Sequence, residues 1–458
     1  MMNNIENNEL LIGDLRKNLL KVSIPTMLGF ALQAVYDMVD MIWIGRISAS
    51  AVAGVTIFST VFWLVTVLNE IIGTSSISLI TQSYGKGDIQ RTRKVVEQTL
   101  TFKALVAILS AIIISIILKP LLSFFSEDQE VLKAALDYGY IRMFFLPIMF
   151  SSYSVNTALR CLGDAKTPMK IMIVSSIANI ILDPIFMFDK IPGTNIPGFN
   201  MGVFGAALAT VISTVIAFSM GFYILFKGNE KLKITFKGLF QLDWEIDKKL
   251  LTIGLPTGIE VLMRNLSSIA TLKFVSIYGT DTVAAMGIGS RLFSFAFMPI
   301  MGIVMGASTI VGQALGAEDV DKARDTAKFA ALTNIVMMGF LSIVSILIPD
   351  KIMGVFINDL EVINVGIPMI RILIPALILA GWSMGLGSVF TGSGHNIPYL
   401  LSSIISRWGI QVPMLFITTK ILNLSAIYVW LSFVAAEIGE IIIILIHYKK
   451  GKWKTKRV

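Results

Sequence analysis

The sequence predicts an all-α membrane protein. Its twelve transmembrane helices form two six-helix lobes, a parallel internal repeat around a central cavity. Three observations lead there. The 458 residues are 55% hydrophobic and only 15% charged, whereas soluble domains carry about 25% charged residues. The apolar residues fall into a dozen separate runs, each long enough for the ~20 residues that cross a bilayer. The second half of the chain repeats the first. The mean hydropathy of +0.77 excludes a soluble enzyme, a disordered chain and a nucleic-acid binder with a charged face.

The first run covers 19–44. Glu6, Glu9 and Asp14 precede it, and it is too long for a signal-peptide core, so it is expected to be the first spanning helix of the mature protein. The next five runs cover 51–81, 95–118, 132–159, 168–188 and 202–226. A polar segment, 227–249, separates them from six more at 250–278, 283–313, 327–348, 362–391, 398–419 and 425–447. The runs are continuously apolar, not alternating, which rules out a β-barrel.

Basic residues orient the chain. With the amino terminus inside, the cytoplasmic loops and tails hold 24 Lys and Arg and the opposite loops hold 5. The inner groups include Lys86, Arg91, Arg93 and Lys94, then Arg160, Lys166 and Lys170, then Lys227, Lys231, Lys233 and Lys237. By the positive-inside rule both termini are cytoplasmic. The expected organisation is a tail at 1–18, an N-lobe at 19–226, a linker at 227–249, a C-lobe at 250–447 and a basic tail at 448–458.

The repeat has a shift of 231 residues. Leu20-Lys21-Val22-Ser23-Ile24-Pro25-Thr26 aligns with Leu251-Thr252-Ile253-Gly254-Leu255-Pro256-Thr257. Gln82-Ser83-Tyr84-Gly85 aligns with Gln313-Ala314-Leu315-Gly316, and Asp88 with Asp319. Both copies begin on the same side, so an axis along the membrane normal relates them. Such a pair of lobes suits alternating access.

A carboxylate inside a membrane costs about 2.5–3.5 kcal/mol on insertion scales, so each one needs a reason. Asp40 in the first helix and Asp183 in the fifth both lie toward the outer side. Asn179 sits one turn before Asp183 on the same face, and Asn156 in the fourth helix adds an amide. No Lys or Arg lies within a turn of either aspartate in sequence. Carboxylates with amide oxygens and no fixed cation form a site for a hard cation or a proton. The bland alternative is hydrogen bonding between helices. A second tier comprises Tyr36, Asp37, Glu70 and the Glu260/Arg264 pair, whose i,i+4 spacing lets it neutralise itself. Glu437 and Glu440 in the last helix are as consistent with neutralising Arg371 or Arg407 as with function. Pro25 lies in the helix of Asp40 and is a candidate hinge. One cysteine and two histidines exclude an intramolecular disulfide and a histidine-rich metal site. No nucleotide-binding, metalloprotease or nucleophile-elbow motif stands in a credible context, so neither an enzyme nor a cofactor is expected.

These residues resemble the multidrug and toxic compound extrusion (MATE) family, closest to its prokaryotic DinF-like branch. Its carriers are Tyr36-Asp37-Met38-Val39-Asp40, Gln82-Ser83-Tyr84-Gly85-Lys86-Gly87-Asp88, Asn156 through Asp164, and Asn179-Ile180-Ile181-Leu182-Asp183-Pro184. The resemblance implies secondary active efflux of amphipathic, often cationic compounds in exchange for sodium ions or protons. It implies a plasma (inner) membrane protein acting as a monomer, with lipid and small amphipathic molecules as partners and no nucleic acid. It implies an N-lobe ion site at Asp40, Asn156, Asn179 and Asp183, joined by Ala206 and Thr210. Sodium, if it is the coupling ion, would be held by Asp40, Asn179, Asp183 and Thr210. A flippase for lipid-linked saccharides, of the same superfamily, is the alternative, and a cavity lined by cations would favour it.

Overall fold

The computed structural model describes residues 8–228 and 232–458. Glu6 and Lys231 lie outside them, as do 1–7 of the expected tail and 229–231 of the expected linker. The chain is helical almost throughout. Six crossings precede the linker: α1 (Leu15–Gly45), α2 (Ala49–Gly85), α3 (Ile89–Ser123), α4 (Gln129–Phe144 with Leu146–Cys161), α5 (Lys166–Met187) and α6 (Gly202–Lys227). Six follow it: α7 (Trp244–Val275), α8 (Thr280–Gly316), α9 (Val320–Leu347), α10 (Leu360–Ser393), α11 (Ile397–Ile421) and α12 (Ile427–Lys450).

Ten of these are long and apolar enough to span a bilayer. The other two are α4 and α7. Glu260, Arg264 and Asn265 dilute the apolar character of α7. The run at 132–159 reads as a single helix, but α4 is two segments, Gln129–Phe144 and Leu146–Cys161. Pro147 occupies the first turn of the second segment. It has no N–H to donate and disfavours helical geometry in Leu146, so the break falls just before it. In α11 the backbone widens into π-helix at Ile404–Gln411 and Ile417–Ile421, on either side of Pro413.

The internal repeat is visible in the helix caps. Asp88 accepts a bond from the Arg91 N–H at 2.9 Å, and Asp319 one from Lys322 at 2.8 Å. Asp128 caps α4 through Glu130 at 2.8 Å, and Asp359 caps α10 through Glu361 at 2.9 Å. Each pair is separated by the same 231 residues, so both halves start equivalent helices with the same side-chain oxygen.

The residues sort into two compact units. One comprises Met1–Met27, Gly85–Gly87 and Thr252–Val458; the other comprises Leu28–Tyr84 and Asp88–Leu251. The boundary between them divides α1 just after Met27. The second unit, called the amino-terminal unit here, has a core of Ile44, Phe58, Leu118, Tyr138, Met187 and Ala206, drawn from all six of its crossings. Its α2 approaches α4 closely: a Cβ on Gly54 would sit 2.6 Å from the Val131 carbonyl, so only glycine fits. The first, carboxy-terminal, unit is built around Val275, Ile300, Met338, Leu373 and Trp430.

The polar segment after α6 belongs to the amino-terminal unit. Glu97 of α3 accepts from the Thr235 backbone at 2.6 Å and from its hydroxyl at 2.9 Å. Thr101 donates to the Leu239 carbonyl at 2.6 Å. Gln98 accepts from the Asp243 N–H at 2.9 Å, and Lys94 pairs with the Asp243 carboxylate. That pairing holds the Asp243 carboxyl below its usual range.

Candidate ion and substrate site

The predicted ion-site residues all belong to the amino-terminal unit, on α1, α4, α5 and α6. Asp40 is 6% exposed and Asp183 is fully buried. Asn179 is buried beside Asp183 and donates to its Oδ1 at 3.2 Å, as the i,i+4 spacing requires. The two aspartates are close enough to act on each other electrostatically. Four side-chain oxygens here are buried and make no hydrogen bond: Asp40 Oδ1, Asn156 Oδ1, Asn179 Oδ1 and Asp183 Oδ2. An unsatisfied buried acceptor costs about 1–3 kcal/mol, and more when charged. All four are acceptors, so each can take a donated hydrogen bond, a proton or a hard cation.

Ala206 is buried in the same core cluster as Tyr138 and Ile44. Its carbonyl accepts the Thr210 hydroxyl at 3.1 Å. That hydroxyl already donates, so its oxygen remains an acceptor. Asn156 and Asn179 also line a cavity of about 400 Å³ inside this unit. Tyr36 is on the same wall, with Phe30, Phe62, Met149, Phe150 and Met172. Arg142 and Arg160 are the charged side chains that line it, and among the described residues no carboxylate does.

One expectation needs correction. The aspartates do not lack a nearby fixed cation. Tyr138 donates to Asp40 Oδ2 at 3.4 Å and accepts from Arg142 Nη1 at 3.0 Å. The guanidinium also lies 4.7 Å from the Phe62 ring centroid. It comes from α4, about a hundred residues away in sequence, so a search within one turn of Asp40 misses it. The Tyr138/Arg142 pair at i,i+4 was the available signal.

The second tier divides. Asp37 is exposed and accepts from Gln33 at 3.4 Å. Glu70 is half-buried and acts on Lys103, a fully buried lysine whose Nζ lies 4.5 Å from the Tyr153 ring centroid. Pro25 is buried within α1, which continues through it. Glu260 and Arg264 pair at 2.8 Å, in the carboxy-terminal unit. There Arg264 reaches Glu440 at 3.3 Å, and Arg407 reaches Glu437 at 2.5 Å and Glu440 at 3.5 Å. Three carboxylates thus share two guanidiniums.

Comparison with known proteins adds four findings. The profile of the MatE family matches residues 25–185 and 256–417. The chain is 29% identical to "Probable multidrug resistance protein YoeA" of Bacillus subtilis (strain 168), over 95% of this chain and 93% of that protein. It is 26% identical to "Probable multidrug resistance protein NorM" of Thermotoga maritima, over 98% and 95%. Among solved structures, a MATE protein in the bent conformation superimposes with a TM-score of 0.87 at 24% identity, over 98% of this chain and 96% of the other. That likeness bears on the fold.

Proposed function

The chain belongs to the MatE family, and from that premise we propose that it exports amphipathic, often cationic compounds in exchange for sodium ions or protons. One observation carries the coupling: the four orphaned oxygens of Asp40, Asn156, Asn179 and Asp183. A proton on Asp183, or a sodium ion among these oxygens and Thr210, removes the repulsion between the two carboxylates. The neutralised and charged forms then favour different conformations of α1, which carries Asp40, with Pro25 as the hinge. Coupling requires only that the ion bind one conformation better than the other. The protein works as a monomer in the plasma membrane with both termini cytoplasmic. It needs no cofactor and performs no covalent chemistry.

The flippase reading draws on Arg142 and Arg160 in the cavity wall. The names of the relatives favour drug export: both the protein at 29% and the one at 26% identity are called probable multidrug resistance proteins. The test is export of a fluorescent cationic drug from proteoliposomes under a sodium gradient alone, then a pH gradient alone. One of the two should drive export. Export that responds to neither contradicts the reading.

A further inference from the structure

Charge is distributed unevenly along the cavity of the amino-terminal unit. At the Asp40 end the guanidinium of Arg142 faces acids. At the other end stands Arg160, on the face of α4 that also presents Tyr153, Asn156 and Thr157. Arg160 is 8% exposed. Its Nη2 makes one long hydrogen bond, 3.4 Å to the Thr157 hydroxyl, and its buried Nε makes none. Among the described residues it has no ion pair within 4.0 Å. The Arg160 guanidinium therefore lies, with no ion pair among the described residues, on the wall of a cavity lined by aromatic and methionine side chains.

A buried, uncompensated guanidinium with free donors is costly to maintain for structure alone. It matches the planar geometry of an acidic group, which it can hold through paired N–H donors. We propose that this end of the cavity is a subsite for an acidic group, a carboxylate, phosphate or sulfonate on an amphipathic molecule, anchored by Arg160. The apolar part of that molecule packs against Met149, Phe150 and Met172. The range of exported compounds would then extend to amphipathic acids and zwitterions. This inference rests on reading the cavity as the substrate compartment of an exporter.

The test is equilibrium binding and needs no gradient. Purified protein in phosphatidylcholine nanodiscs is titrated with N-dansyl-phenylalanine and with its methyl ester, two probes that differ only in the acid. The acid should bind about tenfold more tightly. Arg160→Gln should bring the acid down to the affinity of the ester and leave the ester unchanged, while Arg160→Lys restores part of the preference. Equal binding of acid and ester by the unaltered protein overturns the proposal. So does a preference that survives Arg160→Gln. Repeating the titration with phosphatidylglycerol added to the nanodisc identifies the source. Competition assigns the acidic group to a lipid headgroup and its absence to a free solute, and either supports the subsite. Failure of ion-driven export with the acid preference intact would sink the export reading and not this one.

Discussion

Both units bury acids in their helices, but in opposite ways. In the carboxy-terminal unit Glu260, Glu437 and Glu440 are tied to Arg264 and Arg407 at 2.5–3.5 Å. Each of these carboxylates has a guanidinium already in place. In the amino-terminal unit Asp40 and Asp183 meet an amide, a phenol and each other. Arg142 acts on Asp40 across space and is hydrogen-bonded to it through Tyr138, with no direct ion pair. A buried acid held by a fixed counter-charge has little need of a mobile ion, and breaking such a pair is costly. A buried acid with orphaned oxygens stays incomplete until an ion arrives. The first arrangement suits architecture and the second suits exchange.

Substitutions can break that contrast, in order of expected effect. Asp183→Asn should eliminate gradient-driven export in proteoliposomes while drug binding to the purified protein persists, because the neutral amide cannot cycle between charged and occupied forms. Glu440→Gln should do the opposite. Glu440 is shared by both guanidiniums, and its loss should cost about 3–5 kcal/mol of stability. This would appear as a lowered unfolding temperature in detergent, with export per folded molecule preserved. Tyr138→Phe removes one hydrogen-bonded link between Arg142 and Asp40, worth about 1 kcal/mol. The ion concentration giving half-maximal export should shift about fivefold. Thr210→Val removes a single neutral acceptor. It should weaken sodium dependence a few-fold, roughly, and leave proton-driven export unchanged. If sodium and proton dependence change equally, Thr210 is not an ion ligand.

Much of the fold was legible because lipid imposes a simple rule on sequence. Each apolar run became helix, ten of them long and apolar enough to span a bilayer, and the motif shift of 231 residues reappeared in the caps at Asp88, Asp319, Asp128 and Asp359. The break in α4 was less visible, since Pro147 near a helix centre reads equally as a kink. Asp40 and Asp183 stood out because an acid within an apolar run is rare. Asn179 followed from helical spacing. What sequence concealed were contacts between helices. Arg142 approaches Asp40 through Tyr138, Arg264 meets Glu440 at a separation of 176 residues, and Glu97 fastens the segment after α6. No local pattern encodes those meetings; they depend on which helix faces pack together. Arg160 illustrates the limit. By sequence it is one more positive charge on the cytoplasmic side, and in the structure it turns into a cavity.

The central claim is that ion exchange occurs at the aspartates of the amino-terminal unit and not at the carboxy-terminal network. Ion release on drug binding tests it most directly. A cationic drug is added to purified protein in weakly buffered solution, and released protons or sodium ions are recorded for the unaltered protein, Asp183→Asn and Glu440→Gln. Release is expected from the unaltered protein and from Glu440→Gln, and drug binding without release from Asp183→Asn. Undiminished release from Asp183→Asn, or release lost in Glu440→Gln alone, would contradict it.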